Sequence, residues 1–251
     1  MNIVVAIKQV PDIQQIRIRN REPVLEGVSY TIGKIDKNAL EAGVQLKESS
    51  QSNVIVLSAG NEEIEETVKE ALAIGADEAC LVIDDKLNDL ESEKIAGVLA
   101  AAVKKMDDVG ILLFGEGSSD NYSGQVSSRV AELLGLPQVG YASSILLEGQ
   151  TAKITRQLED EEELLEVQLP VAVSILGDSN EPRIPSVTQI LKAGRKPQEI
   201  LGLGDLDIEL SGEKTVMTLS ALAPETDRKR IFLNSAGELV AALQANGFIG
   251  R

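Results

Sequence analysis

Gly115 and Gly117, followed by Ser118, Ser119, Asp120, Asn121 and Ser123, are the residues whose types and spacing could do chemistry in this chain. Glycines let a backbone approach a ligand closely, and short polar side chains supply caps and leave amides free. The run ends at Gln125 and Val126, where an apolar helical spacing begins with Val126, Val130, Leu133 and Leu134. Unpaired amides and the positive end of a helix dipole favour an anion, phosphate above all. The spacing is neither GxGxxG nor the P-loop with its closing Gly-Lys-Ser/Thr. A strand-to-helix turn that binds nothing uses the same residue types, so both readings stand on these residues alone.

Other chemistries are excluded by what the chain lacks. It has no histidine, which removes Ser-His triads, histidine bases and histidine-ligated metals from within it. The single cysteine, Cys80, permits neither an internal disulfide nor a CxxC metal site, and the apolar run 78-EACLVI-83 makes it a buried thiol. Such a chain is better suited to holding a cofactor, or half of one, than to acid-base catalysis. Lys and Arg number 24 against 40 Asp and Glu, a formal charge of −16, which disfavours nucleic acid and anionic membranes as partners. The chain starts directly on a strand with no signal peptide, and no apolar run reaches membrane-spanning length, so a cytoplasmic location is expected.

The glycine turn must be positioned by the elements around it. Residues 109-VGILLF-114 read as a strand buried on both faces, the turn as tight, and the next stretch as a helix. Ahead of it come strand Asn2 to Val10, closed by Pro11, and an excursion with hairpin-like alternation over 12–34. Helix 36–49 follows, with Asp36 as its expected cap and Leu40, Val44 and Leu46 as its apolar face. Strand 53–60, helix 62–75, strand 79–84 and helix 91–106 complete the alternation. That pattern predicts an α/β fold with a parallel sheet, the early strands in order 3-2-1-4, and a ligand site where the first and fourth strands end.

After Gly135 the pattern changes to a short strand over 137–141, hairpin alternation over 145–176 and the acidic run 159-EDEEE-163, read as a solvated hairpin tip without metal. Residues 180–200 hold three prolines and a short amphipathic stretch with Lys192, Arg195 and Lys196. This gives a domain over 1–200. Residues 201–251 read as an extended arm closed by a helix that Ser235 and Glu238 begin at capping-box spacing, and such an arm needs a surface to lie on.

The chain resembles the beta subunit of electron-transfer flavoproteins over nearly its whole length. The residues carrying the likeness are 3-IVVAIKQVPD-12, 36-DKNALEAGVQLKE-48, 53-NVIVLSAG-60, 111-ILLFGEGSSDNYSGQV-126, 154-ITRQLEDEEELLEVQLPVAV-173 and 181-EPRIPSVTQILKAGRKP-197. The Gly-Glu-Gly-Ser-Ser-Asp run, Gln125-Val126 and Pro-Arg-Ile-Pro-Ser look like the branch of the Fix proteins and of relatives linked to carnitine and acyl-CoA metabolism. The resemblance implies an open, mostly parallel sheet with helices on both faces, similar to adenine nucleotide alpha hydrolases, with the arm packed on an alpha subunit. It also implies a heterodimer in which the alpha subunit holds most of the flavin adenine dinucleotide (FAD), while this chain holds AMP or a second FAD that meets NADH in electron-bifurcating members. The role implied is that of an electron carrier, not an enzyme in the strict sense.

By this resemblance the nucleotide site comprises Ala6, Gly33, Lys34, Ile35, Asp36, Ala59, Gly115, Gly117, Ser118, Ser119, Asp120, Ser123, Gly124, Gln125 and Val126. Glu116 and Gly117 stand where the family commonly has a basic or amide side chain, so backbone amides would carry a phosphate. Ile13 replaces an aromatic found near the flavin in some members. Pro185, Ser186, Val187, Ile190, Leu191, Lys192, Arg195 and Lys196 match the loop that docks acyl-CoA dehydrogenases, with Val187 at the anchor position. A stand-alone adenine nucleotide-binding module is the competing expectation.

Overall fold

The computed structural model describes residues 1–88, 90–208, 210, 216, 218–225 and 230–250. In chain order these hold β1 (Asn2–Ala6), β2 (Gln9–Pro11), β3 (Arg17–Arg19), β4 (Glu22–Val24), β5 (Tyr30–Ile32), α1 (Lys34–Ser49), β6 (Asn53–Gly60), α2 (Ile64–Ile74), β7 (Glu78–Ile83), α3 (Ser92–Val103) and β8 (Val109–Gly115). There follow α4 (Val126–Leu134), β9 (Gln138–Glu148), β10 (Thr151–Gln157), β11 (Glu162–Gln168), β12 (Val171–Ile175), α5 (Val187–Ala193), β13 (Gln198–Leu201) and α6 (Ala236–Ala245).

Nine strands form one sheet in the order β11-β10-β9-β12-β8-β1-β6-β7-β13. The pairs from β9 through β12, β8, β1, β6 and β7 to β13 are parallel, and the β9-β10 and β10-β11 pairs are antiparallel. The run β7-β6-β1-β8 is the 3-2-1-4 order expected from the alternation of strands and helices. Alternation along each central strand splits the core in two. Ile3, Val5, Ile111, Leu113, Val171 and Val173 pack with Leu40 and Val44 of α1 and Val68 and Leu72 of α2. Val4, Leu112, Phe114 and Ala172 pack with Val98 and Leu99 of α3 and Val130 of α4 on the other face. Each such aliphatic side chain, fully buried, stabilises the fold by about 1.5–3 kcal/mol.

Three local expectations change. The turn after β8 is not tight: the ten residues 116–125 separate it from α4, and exposed Tyr122 (φ +42°) and Gly124 (φ +64°) bend it. The first strand stops at Ala6, and Gln9–Pro11 instead pairs with Tyr30–Ile32 in a separate antiparallel ladder. Asp36 is not the cap of α1. Gly33 holds that position without a side-chain cap, and Asp36 lies buried in the first turn.

The chain forms two compact units. The first comprises Met1–Ile16 and Leu25–Thr218, and includes β13 and the buried residues Leu203 and Leu206 of a 3-10 turn. The acidic run expected at a hairpin tip spans the exposed turn between β10 and β11 and the start of β11. The second unit comprises Arg17–Val24 and Leu219–Arg251. Within it the Arg21 carbonyl accepts from the Ala223 N–H at 2.7 Å, Arg21 Nε donates to the Ala223 carbonyl at 2.9 Å, and Arg21 pairs with Glu225. Ser235 caps α6 by accepting from the Glu238 N–H at 3.2 Å. The expected extended stretch 202–233 falls partly outside the described residues, at 209, 211–215, 217 and 226–229. Among the described helices, none is long and apolar enough to cross a membrane.

Candidate functional site

Parallel strands end their ladders together, and here β1, β8 and β12 finish at one edge of the sheet: Ile175 is in register with Gly115, and the Glu116 N–H donates to the Ile175 carbonyl at 3.0 Å. Helix α1 begins beside this edge. Its Asp36 carboxylate accepts from the Lys8 N–H at 2.8 Å and from the Gly115 N–H, tying the chain just past β1 to the end of β8. The fit leaves room only for glycine. A Cβ on Gly33 would stand 2.9 Å from Asp36 Oδ2, and one on Gly115 would meet Asp36 and Ile35. Burial pushes the Asp36 carboxyl up to about 7, against the two amide hydrogen bonds and the Lys8 charge that favour its ionised form.

Above this floor the Lys8 ammonium pairs with Asp120 at 2.6 Å. Burial raises the Asp120 carboxyl, but hydrogen bonds from Lys8 and Ser118 outweigh it and hold it below the usual range. Glu116 turns away from anion duty: its Oε1 accepts from the Gly177 N–H at 3.4 Å, and it hydrogen-bonds Tyr122, whose ring lies against Gly117. Gln125 Oε1 accepts from Arg129 at 3.1 and 2.9 Å. Among the described residues, no carbonyl or side chain accepts from the amides of Ser123, Gly124, Gln125 or Val126 at the start of α4.

The structure therefore brings together Ile35, Asp36, Gly115, Gly117, Ser118 and Asp120 from the sequence expectation. Ala6 ends β1 beside them, and Ala59 sits near the end of β6 on the far side of β1 from Gly115. Lys34 is exposed, and Ser119 and Ser123 lie on the exposed part of the loop. Lys8, Tyr122, Gly177 and Arg129 were absent from the expected set. Lys8 falls inside the strand expected over Asn2 to Val10, and only the early end of β1 at Ala6 sets it beside the end of β8.

The 180–197 segment forms a second feature. Ser186 caps α5 in a capping box with Gln189. Val187, Ile190 and Leu191 are exposed on α5, with Ile184 at 92% exposure just before it and Ala193 buried behind. Lys192 and Arg195 are exposed as well. Lys196 differs: its ammonium donates to the carbonyls of Leu72 (2.7 Å) and Ala76, at the end of α2. Burial pulls that ammonium below its usual range. On α1, burial raises the Glu41 carboxyl, but Arg183 and Gln45 donate to it and hold it low.

A model of the electron transfer flavoprotein domain matches residues 24–205 of this chain. The protein of Thermoanaerobacterium thermosaccharolyticum described as electron transfer flavoprotein subunit beta is 35% identical over 252 residues, which span 97% of this chain and 96% of that protein.

Proposed function

The chain belongs to the electron transfer flavoprotein family as a beta subunit, and from that premise we propose that it forms a heterodimer with an alpha subunit, binds an adenine nucleotide, and passes electrons between flavin dehydrogenases and an acceptor. A beta subunit of this kind is an electron carrier rather than a classical enzyme. We place it in the cytoplasm.

The observation that carries the nucleotide reading is the bare edge at Gly115. Asp36 excludes any side chain there, and the four unclaimed amides of residues 123–126 stand at the start of α4, in unit with that edge. This donor set fits a phosphate. The amides of Ser123, Gly124, Gln125 and Val126 would hold it. Lys8 is the ammonium of the site, already shared with Asp120, while Glu116 adds negative charge. Affinity on this reading rests on backbone geometry more than on side-chain charge. A flavin, when bound, supplies the electron chemistry, and the residues of this chain orient and shield the nucleotide.

The docking reading rests on Ile184, Val187, Ile190 and Leu191, an apolar group left in solvent on a strongly acidic chain. We assign it to a flavin dehydrogenase of the acyl-CoA type. The exposed Leu239, Val240 and Phe248 of the second unit would pack on the alpha subunit.

The test is to co-express the chain with its alpha partner, release the ligands with acid, and quantify FAD and AMP per heterodimer. One FAD and one AMP support the electron-carrier reading. Two FAD and no AMP would replace it with the bifurcating reading, in which this chain seats a flavin reduced by NADH. A stable monomer that binds nucleotide alone would support the stand-alone module instead.

A further inference from the structure

We propose that Arg183 is a positioning residue that holds α5 ready for its redox partner, an inference that rests on the docking reading of α5. Arg183 lies between β12 and α5 and spends its guanidinium on α1. Nε and Nη2 donate to the two carboxylate oxygens of Glu41 at 2.8 and 2.9 Å. Nη1 and Nη2 donate to those of Glu48 at 2.6 and 3.1 Å. Its own backbone N–H adds a bond to Glu41 at 3.2 Å. One turn earlier on α1, Asn38 Nδ2 donates to the Asn180 carbonyl at 2.7 Å, and Asn180 Nδ2 returns a bond to the Asn38 carbonyl at 3.0 Å. Positions 38, 41 and 48 recur at helical spacing and form one stripe on α1 that receives residues 180–183.

The other end of α5 is held differently. Ala193 is buried, and Lys196 reaches two carbonyls at the end of α2. Between these anchors the apolar group stays out, with Val187 and Leu191 each 74% exposed. A seven-residue helix cannot hold itself in water, so its order comes from these flanking anchors rather than from propensity. A surface ordered before encounter loses less freedom on binding than one ordered by it. Planar, forked Arg183 suits two carboxylates at once, which a lysine ammonium cannot match.

The test uses the full heterodimer as electron acceptor for a purified acyl-CoA dehydrogenase that reduces the unaltered heterodimer, kept reduced by excess acyl-CoA. Arg183→Lys and Glu48→Gln keep the buried Glu41 partnered or untouched, so both should fold. Each is expected to raise KM for the heterodimer, Arg183→Lys on the order of tenfold, with kcat and bound FAD unchanged. Amide exchange should quicken in 187–193 and not in β8. Val187→Ser is the control on the docking surface itself. Raised KM in Val187→Ser but not in Arg183→Lys overturns the positioning role alone. Unchanged KM in Val187→Ser overturns the docking reading and the positioning role together, as would failure of acyl-CoA dehydrogenases to reduce the unaltered heterodimer.

Discussion

A Cβ built on Gly115 stands 2.5 Å from Oδ1 of Asp36 and 3.2 Å from the Asp36 backbone nitrogen. The carboxylate cannot retreat without giving up the amides of Lys8 and Gly115, so the end of β8 and the start of α1 are fitted to each other. Gly115→Ala is therefore expected to cost about 1–3 kcal/mol of stability, measured by urea unfolding, and to lower bound AMP in the purified heterodimer. Wild-type stability with full AMP would show that the edge relaxes freely.

The same carboxyl makes stability depend on pH. Its folded value, about 7, lies above the ordinary 3.8, so the folded chain holds a proton that the unfolded chain has released between those values. Stability from this group is complete below about pH 4 and falls as pH rises towards 7. Asp36→Asn removes the titration. Its stability relative to wild type should shift in its favour by about 3–4 kcal/mol between pH 4 and pH 8, and parallel pH profiles for the two proteins would refute the assignment.

Lys8 pairs with Asp120 in the loop whose amides we propose hold a phosphate. Lys8→Met removes a largely exposed ion pair and leaves Asp120 its hydrogen bond from Ser118, so the thermal midpoint should move little. AMP affinity, followed by calorimetry at low and high salt, should fall several-fold, on the order of 1 kcal/mol, with a weaker salt dependence. An unchanged affinity would place the phosphate elsewhere.

Cys80 lies in the core with its thiol pushed up to about 12, chiefly by burial and further by the charge of Glu199. The folded protein should not react with a thiol reagent at pH 8, and one thiol per chain should appear on denaturation. Rapid labelling of the native protein would contradict this packing.

The second unit carries exposed apolar residues, among them Phe232 at 92% exposure, which on our reading face the alpha subunit. A chain stopped after Thr218 should retain its helical circular dichroism and lose co-purification with the alpha subunit. Retained co-purification would move the alpha-binding surface to the first unit.

Local periodicity was enough for the alternation of strands and helices, the strand order around β1, the buried thiol and the capped terminal helix, because these follow from side chains a few residues apart. The glycine run was legible for the same reason. The long loop after β8 was not, since Tyr122 and Glu116 shape it through Gly117 and Gly177, the latter distant in the chain. Lys196 reads in sequence as a free cation, yet its partners lie 120 and 124 residues away. Asp36 reads as a helix cap, and only the tertiary fold brings the Gly115 amide to it. The sequence thus determined the elements, their order and the family. Packing alone decided which polar groups face each other across them, because a hydrogen bond between distant residues leaves no periodic trace in either.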